Sequence, residues 1–264
     1  LPSMHDFLGD RSAVSQIRNV AVEDLLARAP VHMKTDAMVE MVAGRRVLIT
    51  GAGGSIGSEL SRQIASMGPE SVVLYERHEN SLYTIAKELD DRGLSAIVHP
   101  VLGDVTDRRR LMETMTRYRP AIVFHAAAHK HVPLVELNPA EALKNNCIGT
   151  RITAETADRC GVERFVLIST DKAVNPSSVM GATKRVAELI VQDMAERSAT
   201  RFLTVRFGNV LGSNGSVLLR FQEQIQAGGP VTVTHPDIRR YFMLIPEAVH
   251  LVLQAATLGE QGAT

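Results

Sequence analysis

Arg46-Val47-Leu48-Ile49-Thr50-Gly51-Ala52-Gly53-Gly54-Ser55-Ile56-Gly57 is the stretch that decides the fold. Its first residues read as a short buried strand, and the glycine-rich turn opens directly into a helical pattern from Ile56 to Met67. That context makes a glycine pattern a phosphate-binding expectation. Gly51 permits a tight turn, Gly54 lets backbone approach a pyrophosphate, and Gly57 lets helix pack on strand. The helix N-terminus around Gly53, Ser55 and Ile56 presents N–H groups and positive potential to an anion.

Outward from this unit the same rhythm repeats. Apolar runs at Ser71–Tyr75, Ala96–Val101, Ala121–His125, Phe165–Ser169 and Phe202–Arg206 read as strands. Longer helical periods at Leu82–Leu89, Leu111–Arg117, Pro139–Cys160 and Val179–Ala195 lie between them. Strand and helix alternating in this way predict an α/β fold with a doubly wound parallel sheet. The segment before Arg46 carries scattered charges, Pro30 and one short amphipathic pattern at Val22, Leu25 and Leu26, so residues 1–43 read as a linker or packing arm. After Arg206 the chain is punctuated by glycine and proline, with helices expected at Val217–Gln226 and Pro246–Leu258 and a short β-like Val231–Thr234. This reads as a small, truncated second lobe.

Composition narrows the classes of function. Lys plus Arg and Asp plus Glu both total 29, so no net field draws the chain to nucleic acid or an anionic membrane. Small molecules and copies of itself are the expected partners. Two cysteines, Cys147 and Cys160, sit in apolar helical patterns and read as core in a reducing compartment. No apolar run is long enough to cross a membrane, and the expectation is a soluble piece of a longer protein.

The chemistry is expected at the carboxyl ends of the strands. Glu76 ends the second strand about twenty residues past the glycines, where an acid binds a ribose 2′-hydroxyl and favours NAD; Arg77 beside it suits the 2′-phosphate of NADP, and both stay open. Asp104-Val105 ends the third strand and reads either as an adenine contact or as a helix N-cap region. Ala126-Ala127-Ala128 is small enough to admit a nicotinamide ribose, and His129 and Lys130 follow it toward a substrate. A metal site at His125, His129 and His131 is rejected, because alternate residues at a strand end point in different directions and no further ligand is near.

Thr170-Asp171-Lys172 ends the fifth strand, and Met180 and Lys184 follow, four apart on one helix face. In short-chain dehydrogenases a Tyr and a Lys hold this spacing; a thioether cannot handle the hydroxyl proton, which argues against a tyrosine-based alcohol dehydrogenase. An acid beside an amine suits elimination of water: a neutral Lys172 removes a proton next to a ketone and a protonated Asp171 helps the hydroxyl leave, so both groups need shifted pKa values.

These segments, with Asn146-Cys147-Ile148-Gly149-Thr150, Arg206-Phe207-Gly208-Asn209-Val210-Leu211-Gly212 and Arg240-Tyr241-Phe242-Met243, resemble the capsular-polysaccharide type of UDP-N-acetylglucosamine 4,6-dehydratases, extended short-chain dehydrogenase/reductases. The resemblance implies a Rossmann-like NAD(P)-binding domain over 44–204, to which Asn146 contributes, and a partial substrate lobe over 205–264. It implies a tightly bound NAD or NADP regenerated in each cycle, a UDP-sugar substrate, and a redox-neutral dehydration in bacterial surface polysaccharide synthesis. By motif position Asp171 is then the acid, Lys172 the base at carbon 5, and Thr170 a partner of the carbon 4 oxygen. Lys184 anchors the nicotinamide ribose and Met180 packs where tyrosine usually acts. Asn209, Arg220 and Arg240 fall in the segments used for uridine diphosphate. It further implies a homo-oligomer built through the two long helices, and a parent protein anchored at the cytoplasmic face of the inner membrane. The rivals are an epimerase on the same fold and a non-catalytic dinucleotide-binding module.

Overall fold

The computed structural model describes residues 36–213, 217–233, 235, 237 and 240–264. The amphipathic pattern at Val22, Leu25 and Leu26 lies outside the described residues. Six strands form one parallel sheet: β1 (Arg46–Thr50), β2 (Ser71–Glu76), β3 (Val98–Leu102), β4 (Ile122–His125), β5 (Arg164–Thr170) and β6 (Arg201–Phe207). Their order is β3-β2-β1-β4-β5-β6. The chain therefore reverses direction across the sheet between β1 and β4, and such a switch point opens a crevice beyond the carboxyl ends of the strands.

The helices are α1 (Asp36–Val42), α2 (Ser55–Ser66), α3 (Glu79–Asp91), α4 (Arg108–Tyr118), α5 (Val132–Leu137), α6 (Pro139–Ala142), α7 (Gly149–Arg159), α8 (Val179–Arg197), α9 (Val217–Gln226) and α10 (Ile245–Leu258). Strand side chains alternate, and both faces are dry. Val47, Ile49, Val72, Leu74 and Phe124 bury against α2, α3 and α10, while Leu48, Val73, Val123, Phe165 and Phe202 bury against α4, α7 and α8. Covering both faces explains why the strands read as continuous apolar runs instead of alternating ones.

Three local features differ from the sequence reading. Asp36–Val42, inside the stretch read as an arm, is helical, and its Met38 and Val42 are fully buried beside Val249 and Val252 of α10. The single helix expected over Pro139–Cys160 is instead α6, a π-helical turn at Leu143–Ile148, and α7. The wider π turn buries three successive residues, Asn145, Asn146 and Cys147, which a regular helix would fan around its axis. Of the β-like Val231–Thr234, Thr234 lies outside the described residues and the rest forms no strand; Thr232 instead folds back onto α9, exchanging hydrogen bonds with Gln224. The final strand pair is β7 (Asn209–Val210) with β8 (Phe242–Met243).

Candidate active site

The turn after β1 is built by contacts that exclude larger residues. Gly51 has φ +65°, and a Cβ there would lie 2.7 Å from the Ala127 nitrogen. A Cβ on Gly57 would overlap the Gly51 carbonyl oxygen. The Glu76 carboxylate ties this turn to β2: it accepts hydrogen bonds from Gly53 N–H at 3.1 Å and from the Arg77 and His78 N–H groups at 2.9 Å each. About four lone pairs are available on a carboxylate, so one remains for a hydroxyl in the pocket.

Below the turn runs a buried polar chain that links β1, β4 and α7. The His125 side chain is 0% exposed, with Nδ1 2.7 Å from Thr50 Oγ1 and Nε2 3.0 Å from Thr150 Oγ1. Thr150 donates its own hydroxyl to the Asn146 carbonyl at 2.6 Å, so it accepts from His125 and assigns the proton to Nε2. Thr50 then donates to Nδ1 and accepts from Ala127 N–H at 3.4 Å. Burial pushes the imidazole down to about 3, with the Lys184 charge adding to the effect, so His125 is neutral. The Asn146 side chain is a clamp: it accepts from His129 N–H at 2.8 Å and donates to the His129 carbonyl and to Thr183 Oγ1, both at 3.0 Å.

The Thr-Asp-Lys segment leaves β5 as a 3-10 turn, Asp171–Ala173, capped by the Thr170 hydroxyl. Lys172 Nζ lies 3.0 Å from Asp171 Oδ1 and 3.0 Å from Asn209 Oδ1, and Thr170 donates to the same Asp171 oxygen at 2.9 Å. Burial alone would raise the Asp171 carboxyl, but Lys172 and the Thr170 hydroxyl outweigh it and hold the group below its usual range. In this arrangement Asp171 and Lys172 form a partly exposed ion pair, and the direction for Asp171 is opposite to the one expected of an acid. Lys184 is 5% exposed and donates to the Ile168 carbonyl at 2.7 Å; burial lowers it to about 8, against the pull of Glu188. Met180 is buried against Val135 and Ala142.

A cleft of about 1080 Å³ gathers these parts. Gly54–Gly57, Ala126, Ala128, His129, Lys130, Thr170, Lys172, Met180, Lys184, Asn209 and Arg240 line it, and among the described residues lining it there is no Asp or Glu. Of the four basic side chains in the lining, Lys172 is paired with Asp171 at the rim; Lys130, Lys184 and Arg240 suit a polyanionic ligand such as a diphosphate. A second pocket of about 290 Å³ holds Gly51, Gly53, Glu76, Arg77, Val105 and Ala127, and Gly54, Ala126 and Ala128 are common to both. Asp104 stands beside the second pocket, where it binds Thr106 and Arg77. Four expected site residues are outside both linings: Asp104, Asn146, Asp171 and Arg220, with Asp171 held at the rim through Lys172. Arg220 is exposed on α9, and Asn146 is turned to the His129 backbone while its neighbour Asn145 faces the second pocket.

Sequence reasoning did not find Glu188. It is 2% exposed, accepts from Ser169 Oγ at 2.5 Å, and is gripped by both arms of Arg206, at 2.8 and 2.5 Å. It lies one turn beyond Lys184 and secures the base of the β5 tip.

A switch-point crevice with a glycine turn on one side and a Thr-Asp-Lys turn on the other defines a Rossmann-type protein of the extended short-chain dehydrogenase/reductase class. The chain belongs to the polysaccharide biosynthesis protein family, whose profile matches residues 47–264. It is 55% identical to the probable polysaccharide biosynthesis protein EpsC of Bacillus subtilis over 96% of this chain, and 50% identical to the capsular polysaccharide biosynthesis protein CapD of Staphylococcus aureus over 99% of it. Those alignments cover 42% and 44% of the relatives, so the chain spans less than half their length. A UDP-N-acetylglucosamine 4,6-dehydratase (inverting) of Campylobacter jejuni is 33% identical over 81% of this chain and 64% of its own. Among solved structures, Pen from Bacillus thuringiensis superposes with a TM-score of 0.78 at 32% identity, covering 82% of this chain and 67% of that one.

Proposed function

We propose that the chain is the catalytic region of an NAD(P)-dependent nucleotide-sugar 4,6-dehydratase acting on UDP-N-acetylglucosamine. The observation that carries the reading is Asp171 and Lys172 held 3.0 Å apart beside a cleft where buried Met180 replaces a proton-handling tyrosine. The smaller pocket and the glycine turn fit the adenosine and pyrophosphate of a dinucleotide, since both the close-packed turn and the spare Glu76 lone pair are present. When bound, its nicotinamide supplies removal of hydride from sugar carbon 4 and its return to carbon 6.

The chain's own residues supply the rest. Lys184, at the cleft wall, holds the nicotinamide ribose, and Lys130 and Arg240 meet the diphosphate. Thr170 hydrogen-bonds the carbon 4 oxygen and passes its proton toward water. Between Asp171 and Lys172 a single proton is shared. In the open cleft it rests on Lys172; a sugar that covers the turn removes water, favours the uncharged pair, and moves the proton to Asp171. Lys172 then takes the carbon 5 proton, which the neighbouring ketone has made acidic, while Asp171 protonates the departing carbon 6 hydroxyl. Residues 44–204 form the dinucleotide side and residues 205–264 part of the sugar side, with α10 returning to the sheet.

Incubation with UDP-N-acetylglucosamine and NAD+, read by mass spectrometry, tests the proposal: the expected product is lighter by one water. A product of unchanged mass assigns an epimerase instead, and no product with bound dinucleotide assigns a non-catalytic module. Among the described residues no helix is long and apolar enough to cross a membrane. We further propose that the longer parent is anchored at the inner face of the membrane, and that copies pair through α8, where Val186 and Leu189 are exposed. Light scattering that finds only monomer removes the pairing.

A further inference from the structure

The smaller pocket is lined by Glu76 and Arg77, and Asp104 at its edge makes a third charge, an arrangement that goes beyond binding a dinucleotide. Glu76 is fixed by three backbone N–H groups. Arg77 does not turn into the pocket alone. Its guanidinium reaches from the tip of β2 to Asp104 Oδ2 at 3.5 Å, past the tip of β3, and to the His129 ring at 3.2 Å, beyond β4. Asp104 is itself pinned, since its other oxygen accepts from both the N–H and the hydroxyl of Thr106 at 2.8 Å. The cation is thus paired with a carboxylate that cannot follow it, and with Glu76 the group sums to one negative charge.

We infer that Asp104 is a specificity-determining residue for the dinucleotide: by holding Arg77 it keeps this pocket anionic and selects a free ribose 2′-hydroxyl over a 2′-phosphate. The inference rests on the dinucleotide reading above. A 2′-phosphate brings about −1.5 to −2 charges next to Glu76. Arg77 neutralises it only by abandoning Asp104, which leaves a half-buried carboxylate without its cation. A hydroxyl needs none of this, because it donates to the lone pair that Glu76 keeps.

Calorimetric titration of the same chain with NAD+ and with NADP+ tests the inference through the ratio of the two dissociation constants. Wild type is expected to bind NAD+ at least about tenfold more tightly. Asp104→Asn retains an oxygen for Thr106 but loses the charge, and is expected to narrow the ratio by about tenfold as Arg77 turns to the phosphate. Asp104→Ser is expected to narrow it in the same direction, and adding Arg77→Ala to Asp104→Asn to reverse the narrowing. A wild type that prefers NADP+, or an Asp104→Asn ratio equal to that of wild type, overturns the inference while leaving the dinucleotide reading intact. Binding of neither dinucleotide overturns both.

Discussion

The carbonyl oxygen of Lys172 fills the space that a Cβ on Gly181 would need, so the Asp171–Ala173 turn and the first turn of α8 meet backbone to backbone. Ser178 caps that helix by accepting from Gly181 N–H at 3.1 Å, which holds the contact from the other side. Gly181→Ala must therefore push the Asp171–Ala173 turn, the proposed catalytic turn, outward. The expected cost is about 1–3 kcal/mol of stability in a urea titration. Turnover is expected to fall by about tenfold to a hundredfold, because misplacing a base by a fraction of an ångström is costly, while NAD+ affinity changes by less than about twofold. Equal turnover in the alanine variant would show that the turn's position is not critical.

Elimination follows oxidation in the proposed reaction, so blocking it should strand the dinucleotide in its reduced form. Asp171→Asn and Lys172→Met are each expected to lower turnover by about a hundredfold or more. Both should retain removal of hydride from carbon 4, seen as near-ultraviolet absorbance that appears with UDP-N-acetylglucosamine and persists. Normal turnover in either variant removes that residue from its role.

His125 makes stability depend on acid. Its folded pKa is about 3 against an ordinary 6.5, so between those values the unfolded chain takes up a proton that the folded chain refuses. Stability attributable to this residue is complete above pH 6.5 and declines as pH falls, by at most about 1.4 kcal/mol per unit. Comparing wild type with His125→Phe isolates the effect: the difference in unfolding free energy should shrink steadily from pH 6.5 to pH 4. A difference independent of pH would mean that the imidazole is charged, or exposed, in the folded protein.

Local patterns carried most of the fold into the sequence. The strand, glycine turn and helix at Arg46–Met67 are specified by neighbours in the chain, and the rule that open sheets bind at strand ends brings Thr170, Asp171, Lys172, Met180 and Lys184 into one region from the sequence alone. What stayed hidden depends on partners distant in sequence. The β7–β8 ladder is only two residues per strand and exists through a pairing across thirty-odd positions, while a π turn differs from an α-helix by one residue per turn, too little for an apolar pattern to register. The lowered pKa of Asp171 depends likewise on groups that a strand-end pattern does not rank: Lys172 and the Thr170 hydroxyl outweigh the effect of burial.

Glu188 is the clearest hidden residue: four positions after Lys184 it shares the helix face of Met180 and Lys184, but its partner Arg206 comes from β6, eighteen residues on, which no local pattern shows. The carboxylate is buried with Arg206, whose two nitrogens meet its two oxygens, and with the Ser169 hydroxyl and Arg185. Burial alone would raise its pKa; Arg206, Ser169 and Arg185 reverse that and keep it ionised. Removing one partner of such a pair leaves an uncompensated charge, so Glu188→Gln is expected to cost about 3–5 kcal/mol. Replacing both, as Glu188→Met with Arg206→Met, removes the stranded charge and should recover much of that loss. Arg185→Ala should cost less than about 1 kcal/mol, because Arg185 is 41% exposed and Arg206 already satisfies the carboxylate. Chemical denaturation of the three variants decides the matter. If the double replacement is as unstable as Glu188→Gln, the loss comes from packing beneath the β5 tip and not from the buried charge.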